Sequence, residues 1–148
     1  MMVTPSSGSM PKETQQICTL TYPDLPGFAG QAFEWVQFLV ATTADGGAPP
    51  FCFLHYDCRG NGLWLYSSDE GFFLGPVEPG TESTALENSA CSVNTAAATV
   101  ANTNGDLVLT VPIMMKAPMV GAKSTYQRIR GVRDRDTGFV KTGTWTIH

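Results

Sequence analysis

The chain has 148 residues, of which 15% are charged and 43% are hydrophobic, and its formal net charge is −4. This length fits one domain and is sufficient to bury a core. The low charged fraction, the 15 glycines and 10 prolines, and the many threonines, valines and aromatics are typical of a β-rich protein. Nucleic-acid binding requires clustered lysines and arginines that neutralise phosphates, so an acidic chain argues against that partner.

One segment mixes four arginines with two acids: Arg128, Arg130, Arg133, Asp134, Arg135 and Asp136. Interleaved charges of both signs predict a solvated strand and turn and not a phosphate-binding patch. No stretch approaches the length of a membrane-spanning helix, and residues 1–16 lack the apolar region of a signal peptide. We therefore expect either a cytosolic protein or a piece of a longer secreted one, without membrane insertion.

Residues 1–14 predict an extended arm outside the domain, because Pro5, Gly8 and Pro11 interrupt a polar stretch. The domain itself is expected to span residues 15–148. Alternating apolar and polar residues predict strands in its first half at 15–22, 33–42, 50–57, 63–67 and 72–74. A loop at 23–30 and turns at 45–47 and 59–62 separate them.

The second half follows the same pattern after a polar loop at 75–87. Strands are predicted at 90–94, 97–101, 106–116, 124–133 and 142–147. Pro112 has no N–H group, so its strand is expected to lie at a sheet edge or to be bulged there. About seven to nine short strands without crossover helices predict a two-layer antiparallel sandwich or a barrel.

Eight short strings occur in a characteristic order: TPSSGS at 4–9, TLTYPD at 19–24, WVQFL at 35–39, CFLHYD at 52–57, NGLWL at 61–65, LGP at 74–76, LENSAC at 86–91 and GTWTI at 143–147. With these strings the chain resembles an immunoglobulin-like or fibronectin-III-like β-sandwich module that occurs in tandem in large secreted or surface-exposed bacterial proteins. The resemblance covers residues 4–148 and implies an all-β, two-layer immunoglobulin-like sandwich. The segment 134–138 departs from the Gly/Asn-rich turn of the module.

The chain contains four cysteines: Cys18, Cys52, Cys58 and Cys91. No C-x-x-C spacing occurs and only two histidines are available, so we predict no metal site. An even number of cysteines on strand-like segments indicates disulfides and an oxidising compartment, with buried free thiols as the alternative. The resemblance implies that Cys52 pairs with Cys91. Cys18 and Cys58 are additions to the module's pattern and would then form a second bridge.

His55 lies near Cys52 and Cys58 in sequence, and a catalytic Cys–His pair needs these two residue types close together. However, His55 and Cys52 point to opposite faces of one strand, and no third group orients the histidine. We therefore expect no enzymatic activity and no cofactor. The turns at 134–138 and 102–106 supply only part of the oxygen ligands of a calcium loop, and turn chemistry explains both of them.

Large aromatic side chains are numerous: Trp35, Trp64, Tyr66, Phe72, Phe73, Tyr126 and Trp145. Such side chains usually fill the inner faces of a sandwich, which is the interpretation we favour from sequence. An exposed aromatic patch would instead indicate a binding surface, with Trp64 and Tyr66 as the ligand-facing residues.

The predicted arm suggests a means of assembly through Pro5, Ser6, Ser7, Gly8 and Pro11. A loose terminus is normally disordered unless it packs on something, and the open edges of a sandwich accept an added strand. We therefore predict a non-catalytic structural module of a bacterial extracellular or cell-surface protein that self-assembles into a polymer or filament through its arm or edge strands. A glycan- or protein-binding adhesion module is the alternative.

Overall fold

The computed structural model describes residues 1–24, 33–45 and 47–148. Most of the predicted loop at 23–30, and Gly46 of the predicted turn at 45–47, lie outside the described residues. The described residues form twelve strands: β1 (Met2–Thr4), β2 (Ser7–Met10), β3 (Gln15–Tyr22), β4 (Phe33–Ala41), β5 (Cys52–Asp57), β6 (Gly62–Ser67), β7 (Phe72–Val77), β8 (Cys91–Val93), β9 (Thr99–Thr103), β10 (Asp106–Met115), β11 (Gly121–Gly131) and β12 (Val140–Ile147). Two 3₁₀ turns lie at Thr95–Ala97 and Ala117–Met119. In this part of the chain, no helix has the length and apolar character that crossing a membrane requires.

The strands form two sheets. The first has the order β1-β3-β10-β8, with β9 also pairing with β10. The second has the order β2-β12-β11-β4-β5-β6-β7. Neighbouring strands run antiparallel except β2 and β12, which are parallel. The prediction of an all-β, antiparallel two-sheet sandwich is confirmed.

The core lies between the two sheets and follows the alternation of the strands. Leu20 and Leu109 from the first sheet meet Leu54 and Leu65 from the second in one apolar cluster, each at most 2% exposed. Burial of such a side chain contributes roughly 1.5–3 kcal/mol to folding. Successive side chains of a strand point to opposite faces. The residues next to Leu54 on β5 and next to Leu65 on β6 therefore point to the outer face of the second sheet.

Two hydrogen bonds, one buried and one partly buried, join the two sheets. The Tyr22 hydroxyl donates to the Gln37 carbonyl at 2.7 Å, and Gln127 Nε2 donates to the Thr21 carbonyl at 3.3 Å. Burial raises the pKa of Tyr22, so its hydroxyl stays protonated and remains a donor. These bonds satisfy polar groups that would otherwise be costly in an apolar interior.

The N-terminal residues belong to the sandwich and not to a separate arm. Strand β1 pairs with β3 in the first sheet, and β2 pairs with β12 in the second. Val3 is 1% and Met10 is 3% exposed, and both are part of the core cluster. The predicted domain boundary at residue 14 is therefore corrected, because each short strand buries one apolar side chain that the polar composition of the segment conceals.

The residues predicted to form an assembly arm are engaged within their own chain. The Pro5 carbonyl accepts the Trp145 indole N–H at 2.8 Å, and the Ser6 carbonyl accepts the N–H of a β12 residue at 3.0 Å. Ser7 and Gly8 lie in β2, opposite residues of β12. Pro11 directly follows β2. The backbone groups that an exchanged arm would offer to a second copy are thus already used in part.

One disulfide joins the two sheets. It links Cys52 on β5 to Cys91 on β8, with a Cα–Cα distance of 5.9 Å and a sequence separation of 39. The prediction of this pair is confirmed, and such a bridge indicates an oxidising, non-cytosolic environment. Closing a loop of this size stabilises the folded state by about 4 kcal/mol on the chain-entropy account.

The predicted second disulfide is not formed, and both Cys18 and Cys58 are free thiols. The reason is that the two residues lie at different points along the sandwich. Cys18 pairs in register with Val111. Cys58 lines a cavity with Leu107, whose partner on β3 is Tyr22. Tyr22 lies four residues, or about 13 Å, along the strand from Cys18, a distance that no disulfide spans.

Strand β10 is internal to its sheet, which corrects the prediction that Pro112 marks an edge or a bulge. It pairs with β3 along one side and with β9 and then β8 along the other. Pro112 lies between the last partner of β9 and the first partner of β8, and its carbonyl accepts the Asn94 N–H at 3.0 Å. Its missing donor therefore falls at a break in the ladder, where no strand partner requires it.

Candidate binding face

The outer side of the second sheet carries a continuous group of partly exposed ring side chains, which we call the aromatic face. Its members come mainly from β4 to β7 and from the residue before β12: Trp35, Phe51, Phe53, His55, Trp64, Tyr66, Phe73 and Phe139. Every second residue of β5 and β6 points instead into the core. The outward positions of β5 and β6, which are polar in many antiparallel sheets, are therefore largely aromatic here.

The strand register brings these rings together. His55 is opposite Trp64 across β5 and β6, and Tyr66 is opposite Phe73 across β6 and β7. The ring centroids of Tyr66 and Phe73 are 5.3 Å apart, and Phe53 lies 5.4 Å from Phe73. Such ring pairs contribute about 0.5–1.5 kcal/mol each beyond their burial, so they hold the face in one arrangement.

Most of the rings are tilted against one another. The interplanar angle is 62° between Phe53 and Phe73 and 73° between Tyr66 and Phe73. Among the close ring pairs of the described residues, only Phe51 and Tyr66 are nearly parallel, at 15°. The face is therefore an uneven apolar surface and not a flat platform of coplanar rings.

A buried layer supports part of this face. Leu39, Ala41 and Tyr126 form an apolar cluster separate from the main core, and Phe53 is one of the rings that pack on it. Leu39 is only 2% exposed although it points away from the main core. The aromatic face is thus anchored on its own small core on the outside of the sheet.

Two hollows indent the face, and each combines rings with a carboxylate. The first encloses about 230 Å³ between Leu39, Asp45, Phe51, Phe53, Tyr66 and Phe139. The second encloses about 270 Å³, and we call it the tryptophan hollow; it is lined by Trp35, His55, Asp57, Trp64 and Phe73.

His55 is held as a neutral ring beside the tryptophan hollow. The Gln37 amide Nε2 lies 3.0 Å from His55 Nδ1, and since an amide nitrogen only donates, Nδ1 accepts and the ring proton is on Nε2. Burial lowers the pKa of His55, and the nearby charge of Asp57 opposes this shift. The ring is therefore uncharged at neutral pH.

A guanidinium group already stacks on this face. The Arg128 guanidinium carbon lies 5.1 Å from the centre of the Trp35 ring and 5.4 Å from that of Phe139. Arg128 Nε and Nη2 donate to the two carboxylate oxygens of Asp136 at 2.9 and 2.6 Å. This pairing lowers the pKa of Asp136 to about 2 and raises the pKa of Arg128.

The arginine-rich segment forms ion pairs with its own acids. Arg130 contacts Asp134 at 2.6 Å, Asp136 at 3.5 Å and Glu34 at 3.8 Å. The two aspartates considered for calcium thus face guanidinium groups. In the part of the chain that the structure describes, no cluster of three or more His, Cys, Asp or Glu side chains could hold a metal ion.

The groups considered for catalysis do not come together. Cys52 is consumed in the disulfide, and the ring contact of His55 at hydrogen-bond distance is Gln37. Burial raises the pKa of Cys18 and of Cys58 to about 12, so neither thiol forms a nucleophilic thiolate at neutral pH.

The structure divides the aromatic residues between the two sides of the second sheet. Trp145 is in the core as predicted, at 1% exposure. Trp35, Trp64, Tyr66 and Phe73 are on the outer face, which corrects the interpretation that the aromatics fill the inner faces. Sequence reasoning named Trp64 and Tyr66 for an exposed patch but not the remaining members. The alternation of Phe51, Phe53 and His55 with buried Cys52, Leu54 and Tyr56 is the signal that could have identified more of them.

Comparison of the chain with protein-family models and with curated proteins finds no match. Its function is therefore inferred from the fold and from the aromatic face.

Proposed function

We propose that this chain is a non-catalytic binding module of a bacterial extracellular or cell-surface protein, and that it attaches to a partner protein through the aromatic face. The observation that carries the proposal is the contiguous group of eight partly exposed rings on one outer face. Large apolar patches that remain exposed on a folded domain mark interaction sites. Tryptophan, tyrosine and arginine, which dominate the binding energy of protein interfaces, all occur in or against this patch.

The tilt of the rings favours a protein partner over a flat glycan. Stacking of consecutive sugar rings needs aromatic planes that lie side by side, whereas Phe53, Tyr66 and Phe73 stand at 46–73° to one another. Tilted rings and two hollows suit an irregular surface of protruding side chains, which is how interface anchors pack. Glycan binding is the alternative, and the experiment below distinguishes the two.

The strand order supports an immunoglobulin-like module. Strands β1, β3, β10 and β8 follow the order A-B-E-D of such sandwiches, and β12, β11, β4, β5 and β6 follow the order G-F-C-C′-C″ of the variable type. The disulfide joins β5 to β8, whereas antibody domains join strands B and F. A bridge between sheets suits a module that works outside the cell.

Self-assembly through the N-terminal residues ranks lower in this proposal. Strands β1 and β2 pair with β3 and β12 of the same chain, so they are not free to add to a neighbour. A structural role in a series of modules is the second candidate. Strand β1 begins beside Thr21, whereas β12 ends beside Met10, near the start of β3. The start of β1 and the end of β12 thus lie toward opposite ends of β3, about 20 Å apart, as modules joined in a linear series require.

The proposal is tested by binding of the chain to a panel of purified extracellular proteins and to a glycan array. Trp64→Ala and Phe53→Ala change the aromatic face, and Ile17→Ala is the matched control, since Ile17 is 63% exposed on the first sheet. We expect protein ligands whose affinity falls at least about tenfold with either face variant, the loss of a typical interface anchor. Ligands that bind all three variants equally would contradict the proposal, and glycan ligands alone would favour the alternative.

A further inference from the structure

Resting on the proposed function, we propose that the tryptophan hollow is an anchor pocket for an arginine side chain of the partner protein. The observations are a carboxylate that enters no ion pair with the residues that the structure describes, the aromatic rings that line the hollow with it, and a guanidinium group of the chain itself that stacks on the aromatic face.

Asp57 supplies the charge of the hollow. Its Oδ1 accepts the Arg59 backbone N–H at 3.1 Å, and within the described residues its carboxylate enters no ion pair. The cations around it are matched elsewhere: Arg59 pairs with Glu34, and Arg130 pairs with Glu34, Asp134 and Asp136. A carboxylate that is partly buried beside apolar rings attracts a cation more strongly than one in open solvent.

The rings supply the second attraction. Trp35, Trp64 and Phe73 line the hollow together with Asp57. The face of an aromatic ring attracts a cation within about 6 Å, and tryptophan does so best. Arg128 shows this interaction on the same surface, with its guanidinium stacked on Trp35 and held by Asp136. In the tryptophan hollow, Trp64 and Phe73 lie beside Asp57 and so repeat this combination of rings and a carboxylate.

An arginine fits this combination better than a lysine or a neutral side chain. The planar guanidinium stacks on a ring and still donates bidentate hydrogen bonds to a carboxylate, whereas an ammonium group is a strongly hydrated point charge. His55 does not oppose a cation, because its ring is neutral when Nδ1 accepts from Gln37. The net charge of −4 also favours approach by a basic partner.

The indole N–H signals of the three tryptophans in a ¹⁵N–¹H spectrum provide the test. Trp35 and Trp64 line the hollow, and Trp145 is an internal reference because its indole N–H donates to Pro5 inside the core. The probe is the peptide acetyl-Gly-Gly-Arg-Gly-Gly-amide, compared with the same peptide carrying citrulline, the uncharged isostere of arginine. We expect saturable shifts of the Trp35 and Trp64 signals with the arginine peptide, at least fivefold weaker binding of the citrulline peptide and no shift of Trp145.

A pair of charge variants tests the role of Asp57. Asp57→Asn removes the charge but keeps the acceptor for the Arg59 N–H, so it preserves the turn. Asp69→Asn is the matched control, because Asp69 is exposed in the turn at the opposite end of β6. We expect at least fivefold weaker binding of the arginine peptide by Asp57→Asn and unchanged binding by Asp69→Asn.

Three outcomes would overturn the assignment, and they differ from failure of the proposed function. Equal shifts with the arginine and citrulline peptides would mean that the hollow binds without using charge, which leaves the binding face intact. Shifts with tetramethylammonium chloride but not with the arginine peptide would assign the hollow to quaternary ammonium groups. No shift with any probe would show that the hollow takes no cation, while the protein and glycan panel still decides whether the aromatic face binds a partner.

Discussion

Arg128 places its guanidinium carbon 5.1 Å from the centre of the Trp35 ring, on the outer face of the second sheet. The two residues come from the adjacent strands β11 and β4, and Asp136 holds the guanidinium in position from the turn that follows β11. This contact joins the arginine-rich segment to the aromatic face. Residues that the sequence predicts as a solvated strand and turn therefore help to order the aromatic face.

The ion pair between Arg128 and Asp136 predicts a pH-dependent contribution to stability. The pKa of Asp136 is about 2 in the folded protein, below the value near 3.9 of an unfolded aspartate. The stabilisation is therefore complete above about pH 4 to 5 and is lost as the pH falls toward 2. We expect Asp136→Asn to lower the free energy of unfolding by no more than about 1 kcal/mol at pH 7, since the pair is partly exposed.

Urea unfolding of the wild type and Asp136→Asn between pH 2.5 and 7 measures this difference. It should be constant from pH 7 to 5 and decrease below pH 4. A difference that does not change over the whole range would show that the charge of Asp136 contributes nothing. Asp69→Asn, in an exposed turn, should leave the free energy of unfolding at pH 7 unchanged.

The Cys52–Cys91 bridge predicts a large loss of stability on reduction. The double variant Cys52→Ala/Cys91→Ala should lose about 4 kcal/mol, because the unfolded chain is no longer restricted by the closed loop. Guanidinium chloride unfolding measures the loss, and the wild type in excess reductant should behave in the same way. The variant Cys58→Ala, which removes a free thiol outside the bridge, provides the comparison. An equal loss in both variants would contradict the structural role of the bridge.

The N-terminal strands predict a stability effect that a free arm would not have. Met10 is 3% exposed and belongs to the core, so Met10→Ala should cost about 2–4 kcal/mol in thermal or urea unfolding. Met2 is 56% exposed on β1, so Met2→Ala should change stability by less than about 0.5 kcal/mol. Small and equal effects of the two substitutions would mean that residues 1–14 are an arm after all.

Local patterns predict most of this fold. Strand β3 is predicted to the residue, and the alternation of β5 correctly separates Cys52, Leu54 and Tyr56 from Phe53 and His55. Composition and turn signals are sufficient for these elements because each strand carries several apolar residues. Strands β3 and β10, which are distant in sequence, then pair in register at eight residues of each strand.

Features that depend on contacts between residues distant in sequence cannot be predicted from local patterns. Val3 and Met10 are single apolar residues in a polar segment, and the β12 partners of β2 lie more than 130 residues away. The failure of Cys18 and Cys58 to pair depends on the position of each cysteine along the length of the sandwich, which local alternation does not give. The aromatic face depends on which side of the sheet is covered, and alternation alone separates the two faces without saying which one meets the second sheet.

The most direct test of the aromatic face compares two adjacent phenylalanines on β7. Phe73 contacts Phe53 and Tyr66 on the face, whereas Phe72 pairs with Ser67, points to the other side of the strand and is 56% exposed. The measurement is the affinity of Phe73→Ala and Phe72→Ala for a protein ligand from the panel, by surface plasmon resonance. We predict at least about a tenfold loss for Phe73→Ala and less than a twofold change for Phe72→Ala. Equal affinities of the two variants would contradict the assignment of the aromatic face as the binding surface.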